Sequence, residues 1–174
     1  MSHPISEDPM SPARILVADD DDALRRLMQR LLREAGHDVL LASDGVEALK
    51  VFGDGHIDLI VSDISMPRMD GVTLLRRVRE LNEDIPFILL AGAPSANTAI
   101  DALRFHATEY LPKPVEPGQL LESVTHALGL NRLAQIRREA LSLYQERNSQ
   151  HGEISRRELD FGRAVAAVYM VYQP

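Results

Sequence analysis

The chain of 174 residues has no cysteine, which excludes a disulfide framework and a thiolate metal site and is compatible with a reducing cytoplasm. No apolar run approaches the ~20 residues that a membrane-crossing helix needs, so insertion into a bilayer is not expected. Positive charge is also in short supply. Nineteen lysines and arginines against 26 aspartates and glutamates leave a net charge of −7, which argues against broad nucleic-acid binding, because that attraction comes from cations neutralising phosphates. Residues 1–13 lack an apolar cluster, carry Pro4, Pro9 and Pro12 with acidic neighbours, and read as a disordered tail rather than a signal peptide or strand. A glycine-rich phosphate loop of the Walker type is missing. What remains, 45% hydrophobic and 26% charged, is ordinary for a globular chain long enough for one full domain and an appendage.

The part that is present centres on one stretch. Ile57, Leu59, Ile60 and Val61 form a short branched run bounded by Gly55 before and by Pro67 and Gly71 after, which predicts a buried strand ending on Asp63. Taken alone, Asp63 is equally well a solvated turn residue. Upstream, Arg14 to Ala18 is a second such run. It gives way to Asp19-Asp20-Asp21-Asp22 and then to Leu24, Leu27, Met28, Leu31 and Leu32 at helical spacing, with Gly36 as the stop. Asp21 and Asp22 are explained as helix-capping carboxylates. Asp19 and Asp20 sit at the strand end itself, where capping needs no further negative charge.

The remaining pattern repeats this alternation. Val39–Ala42 reads as a strand, Ser43-Asp44-Gly45 as a turn and residues 46–52 as a helix. Asp70-Gly71 opens a helix with Val72, Leu74, Leu75, Val78 and Leu81 on its apolar face and Arg76, Arg77 and Arg79 facing outward. Residues 86–91 form a strand, Ser95 to Phe105 a helix, Thr108–Leu111 a fifth strand, and Pro117 to Leu128 a helix after Pro112-Lys113-Pro114. Five strands alternating with five helices predict an α/β fold over residues 14–128, a doubly wound five-stranded parallel sheet covered on both faces. In such a sheet Asp19, Asp20, Asp63 and Lys113 meet in a crevice beyond the strand carboxyl ends. Three neighbouring carboxylates repel unless a cation joins them. Mg²⁺ suits the need, since it takes oxygen ligands and keeps waters that a phosphate can replace, and Lys113 offers point positive charge for a phosphoryl oxygen.

Ile15-Leu16-Val17-Ala18-Asp19-Asp20-Asp21, Asp58 to Pro67, Asp70-Gly71 and Tyr110-Leu111-Pro112-Lys113-Pro114 together resemble the receiver domain of bacterial two-component response regulators in order and spacing. The resemblance implies a flavodoxin-like receiver fold and phosphorylation of Asp63 by a sensor histidine kinase or phosphotransfer protein. It also implies Mg²⁺ held by Asp20, Asp63 and the backbone carbonyl of Ser65, with Asp19 assisting through water. Lys113 would contact the phosphoryl group beside a cis bond to Pro114. This is sound phosphoryl-transfer chemistry, with a carboxylate attacking in line while cations stabilise charge on the transferring oxygens.

One position departs from the family. Its fourth strand usually ends on threonine or serine, whose hydroxyl binds the phosphoryl group and draws in an aromatic residue of the fifth strand. Here Ala91 stands at that place without a hydroxyl, Ser95 lies beyond in the following loop or helix, and Tyr110 occupies the aromatic switch position. The departure motivates a rival reading, a pseudo-receiver acting as a phosphorylation-independent interaction or dimerisation module. A phosphatase or nucleotide hydrolase is disfavoured, because no aspartate stands two residues after Asp63 as a general acid.

Residues 129–152 read as a helical linker. Leu133, Ile136, Ala140 and Leu143 follow the seam spacing of a coiled coil, so a homodimer through this helix and a plain amphipathic linker are both expectations. His151-Gly152 breaks the pattern. Ser155 with Glu158 reads as a capping box and Ile154 with Leu159 as a hydrophobic staple, which predicts a new helix from Arg156. Val168 to Pro174 then reads as a strand without a partner, so residues 153–174 are expected to be the truncated start of an output domain. Leu159 to Ala164 followed by Val168 to Pro174 resembles the opening of an EAL-type cyclic-di-GMP phosphodiesterase domain, without that family's later acidic motifs. The whole is expected to be a cytoplasmic phosphoacceptor module controlling an attached output, and not an enzyme beyond accepting its own phosphoryl group.

Overall fold

The computed structural model describes the backbone of residues 12–171 and the side chains of residues 12–144. Strands and helices alternate as β1 (Arg14–Ala18), α1 (Asp22–Glu34), β2 (Asp38–Ala42), α2 (Gly45–Asp54), β3 (Leu59–Asp63), α3 (Gly71–Leu81), β4 (Phe87–Ala91), α4 (Ala96–Arg104), β5 (Glu109–Pro112) and α5 (Pro117–Val171). All neighbouring strands pair in parallel, in the order β2-β1-β3-β4-β5. This is the five-stranded parallel sheet that the alternation predicts, in the flavodoxin-like form that the receiver resemblance implies.

Burial explains why these runs are strands. Every residue of β3 and β4 is buried, as a parallel sheet covered on both faces requires. Period-two alternation splits the apolar side chains between two cores. Leu16, Ala18, Ile60, Phe87 and Leu89 pack with Leu74, Leu75 and Val78 of α3. Ile15, Val17, Leu59, Val61, Ile88 and Leu90 pack on the other face with Met28 and Leu32 of α1 and Leu120 and Val124 of α5. Helix starts are fixed by caps: Asp21 accepts from the N–H groups of Ala23 and Leu24, Asp44 from Val46 and Glu47, and Asp70 from Thr73. Asp21 thus does the capping expected of it, while Asp22 pairs with Arg25 and Arg26 on the surface.

Two expectations are corrected. Arg79 does not simply face outward: its guanidinium donates to the carbonyl oxygens of Ile85 (2.8 Å), His106 (2.9 Å) and Phe105 (3.2 Å), tying α3 to the turn before β5. The chain after residue 128 also differs. In place of a break at His151-Gly152, a new helix from Arg156 and a strand from Val168, α5 is one helix from Pro117 to Val171. A glycine inside a helix costs only about 1 kcal/mol, and a terminal strand with no sheet edge leaves its N–H and C=O groups unsatisfied, whereas a helix satisfies them locally. The side chains of the Ser155–Glu158 box and the Ile154–Leu159 staple, the tail at residues 1–11 and the end at residues 172–174 lie outside the described residues. The chain divides into two compact units, Met1–Arg132 and Leu133–Pro174, so α5 contributes to both. Among the described residues no helix is long and apolar enough to cross a membrane.

Candidate functional site

The strand order reverses at β1: the chain passes to β2 on one side and then to β3 on the other. Crossovers on opposite faces leave a crevice above the carboxyl ends of β1 and β3 at this reversal. Asp19 and Asp20 follow directly on β1, Asp63 is the last residue of β3, and Lys113 follows β5. The sequence-predicted acidic residues and lysine are therefore brought together.

Asp19 is fully buried and Asp63 is 4% exposed, while Asp20 faces solvent. One carboxylate oxygen from each of the three lies within 4.8 Å of the others. Lys113 Nζ bridges two of them, 2.8 Å from Asp19 Oδ2 and 3.0 Å from Asp63 Oδ1. Asp19 is further held by the Asp21 N–H donating to Oδ1 at 2.9 Å, and Arg25 Nη1 donates to its carbonyl at 2.6 Å. The lysine contact at Asp63 Oδ1 is a charge contact off the hydrogen-bonding direction, so this buried oxygen has no directed hydrogen bond. With the Lys113 ammonium against it at 3.0 Å, this oxygen still has acceptor capacity for a second cation or a proton.

Electrostatics carry the same tension. Burial pushes the Asp63 carboxyl above its ordinary pKa, and the Asp19 charge adds to this, while Lys113 and the Ser65 backbone N–H pull it back only in part. For Lys113 burial works against the ammonium, yet its contacts with Asp19 and Asp63 outweigh this and raise its pKa. The site thus holds a permanent cation beside a carboxylate that is incompletely satisfied. Oxygen donors of this kind and number fit a hard divalent cation: Asp20 and Asp63 have accessible acceptor capacity, and Ser65 is in the adjoining loop.

Ala91 closes β4 and is buried, its carbonyl accepting from the Lys113 N–H at 2.8 Å. The Lys113–Pro114 bond is cis. Tyr110 is half-buried against the α3/α4 core, and its hydroxyl has a partner that sequence reasoning missed: Thr98 Oγ1 of α4, 2.9 Å away. Ser95 does not reach into the site. It caps α4 in a reciprocal box with Thr98. No short motif announces the Thr98–Tyr110 contact, because it depends on where α4 lies against β5.

The sequence profile of the response regulator receiver domain matches residues 15–125. The chain belongs to this family. Response regulator MprA of Mycobacterium sp. (strain KMS) is 41% identical over 110 residues, covering 63% of this chain and 48% of that protein, so the chain spans about half the length of the curated relatives it matches. The receiver is also similar to solved structures. A CheY-like response regulator receiver domain protein from Methanospirillum hungatei superposes with a TM-score of 0.70 at 30% identity, covering 71% of this chain and 99% of that one. Response regulator TrrA from Thermotoga maritima, solved in complex with Mg²⁺-BeF, gives a TM-score of 0.61 at 33% identity, covering 66% and 98% respectively.

Proposed function

We propose that this receiver accepts a phosphoryl group on Asp63 from a histidine kinase or phosphotransfer protein, with Mg²⁺ bound. One observation supports the reading most: a nearly buried, incompletely satisfied Asp63 carboxylate with Lys113 Nζ 3.0 Å away and the carboxylates of Asp19 and Asp20 beside it. Asp20, Asp63 and the Ser65 carbonyl would hold the ion, with Asp19 acting through water because both of its oxygens already accept hydrogen bonds. Bound there, Mg²⁺ supplies positive charge that offsets the charge building on the phosphoryl oxygens. TrrA, solved with Mg²⁺-BeF, is a relative with the ion in such a complex. An Asp63 oxygen forms the bond to phosphorus as the phosphorus–nitrogen bond of the donor phosphohistidine breaks. The imidazole leaves with the electron pair and takes up a proton, and the product is an acyl phosphate. Lys113 turns its ammonium from the carboxylate to a phosphoryl oxygen.

Intact mass after incubation with acetyl phosphate and Mg²⁺ tests this. One added phosphoryl group on the wild type and none on Asp63→Asn is expected. No addition to a folded protein that binds Mg²⁺ would refute phosphorylation and favour the pseudo-receiver, a reading supported by Ala91 and by the attachment of Tyr110 to Thr98.

Receiver residues 14–128 would control an output through the linker at 129–152, in a cytoplasmic setting without membrane or nucleic-acid contact. An EAL-type cyclic-di-GMP phosphodiesterase as that output rests on residues 159–174 alone, and the strand expected from that likeness is helical through Val171. A homodimer through α5 is supported by its exposed apolar side chains, Leu133 (67%), Ile136 (46%) and Leu143 (61%). Light scattering is expected to give twice the monomer mass at high concentration, returning to the monomer in an Ile136→Glu, Leu143→Glu variant. A monomer throughout would overturn it.

A further inference from the structure

The loop between Asp63 and α3 is stapled at both ends, and the far staple lies outside the site just described. Gly45, the first residue of α2, donates its N–H to the Met69 carbonyl at 3.2 Å, and a Cβ at Gly45 would stand 2.5 Å from that oxygen. Next to it, Asp44 is 3% exposed. Its Oδ1 caps α2, accepting from the N–H groups of Val46 (2.8 Å) and Glu47 (3.0 Å), while Oδ2 pairs with the Arg68 guanidinium. Arg68 makes this pair from a left-handed backbone, φ +63°, a conformation that is uncommon for non-glycine residues. A strained residue persists where its surroundings hold it, and here the holder is a charge-assisted bond to a buried carboxylate on another element.

We propose that Arg68 and Asp44 form a positioning pair, which fixes the loop carrying Ser65 so that its backbone is presented to a divalent cation beside Asp63. The inference rests on the Mg²⁺ reading above and deepens it. Neither residue touches the cation. The near end of the loop is held by the Ile64 N–H donating to Leu90 (2.9 Å) and the Gly71 N–H donating to Ile64 (2.9 Å), while residues 64–70 add only Met66 N–H to Ile64 (3.2 Å) and Met69 N–H to Pro67 (2.7 Å) among themselves, so the far end depends on Gly45 and the Arg68–Asp44 pair. Contacts that orient metal ligands without coordinating are worth on the order of tenfold in metal affinity.

Two variants separate positioning from folding. Arg68→Gly removes the guanidinium together with the left-handed strain but leaves Asp44 Oδ2 without its partner, so its metal-free thermal midpoint is expected somewhat below that of the wild type, with the fold retained because Oδ1 still caps α2. Asp44→Asn keeps an oxygen to cap α2 but not the charge. In both, hydrogen exchange at the amides of Gly45, Met66 and Met69, measured without metal, is expected to quicken. Calorimetric titration with MgCl₂ is expected to show affinity weaker on the order of tenfold, with the double variant no weaker than the weaker single one. Wild-type Mg²⁺ affinity and wild-type exchange in Arg68→Gly would overturn the pair's role while leaving the Mg²⁺ reading intact. Absence of Mg²⁺ binding by the wild type would overturn both.

Discussion

Asp63→Asn is expected to melt higher than the wild type at neutral pH, even though it removes the residue proposed to do the chemistry. The ionised carboxylate is nearly buried, lacks a directed hydrogen bond at Oδ1 and faces the Asp19 charge. Because burial raises the Asp63 pKa, its charged form weakens folding and a neutral isostere does not; the gain is expected on the order of 1 kcal/mol, or about 4 °C in midpoint. Lys113 is not orphaned by the change, because Asp19 Oδ2 remains 2.8 Å from Nζ. The sign of the pH dependence follows from the raised pKa of Asp63. Between the ordinary carboxyl pKa and the raised folded value the native state binds more protons than the unfolded chain, so this residue erodes stability as pH climbs through that window. Above it the penalty is complete and constant. The gain from Asp63→Asn is therefore expected to grow as pH climbs through that window and to vanish as pH falls below about 3.9, as thermal melts of both proteins in a pH series would show. An Asp63→Asn protein that melts lower at pH 7 would refute the view of Asp63 as an incompletely satisfied charge.

Gly71→Ala is expected to be among the most damaging single-methyl changes in the receiver. A Cβ there would stand 2.2 Å from the Asp63 carbonyl oxygen and 3.0 Å from both the Asp63 carbonyl carbon and the Ile64 Cα. All three are backbone atoms at the end of a fully buried strand, so no side chain can swing away to make room. Overpacking of this kind costs about 3 kcal/mol, on the order of 10 °C in midpoint. The displaced peptide belongs to the proposed phosphoacceptor, so phosphoryl uptake from acetyl phosphate should slow together with the loss of stability. Gly53→Ala is the internal control: Gly53 lies within α2 with nothing within 4 Å of its would-be Cβ, and alanine there should add about 0.5–1 kcal/mol through helix propensity. Equal behaviour of the two variants would refute the close approach of α3 to β3.

Much of the receiver was legible because its signals are local. Ile15 to Ala18, Leu59 to Asp63 and Phe87 to Ala91 are branched apolar runs that only burial on two faces explains, and Asp21, Asp44 and Asp70 announce the helices that they cap. The candidate site was legible for a related reason: in a sheet of this class the residues after the strands share one edge, so Asp19, Asp20, Asp63 and Lys113 could be assigned to one crevice before any distance was known. Contacts whose partners are set by loop paths were not legible. Thr98 meets Tyr110, Arg68 meets Asp44, and Arg79 reaches the carbonyls of Ile85, Phe105 and His106, each across elements whose relative placement no spacing rule predicts. The strand expected from Val168 is instead helical through Val171 on similar grounds, since an apolar run of β-formers pairs only if an edge is offered to it. Where none is, a helix satisfies the backbone within the segment.

Over residues 14–128 the amino-acid sequence by itself determined which segments are strands and helices, and that carboxylates and one lysine collect at strand ends, because propensity, capping and side-chain period act over a few residues. Only the tertiary structure decided that Lys113 and Asp19, 94 residues apart, meet at 2.8 Å, that Asp63 keeps an oxygen without a directed donor, and that Gly71 has no room for a methyl group. Those outcomes depend on strand order and on the packing of helix ends against neighbouring backbone, which are settled together by the whole core.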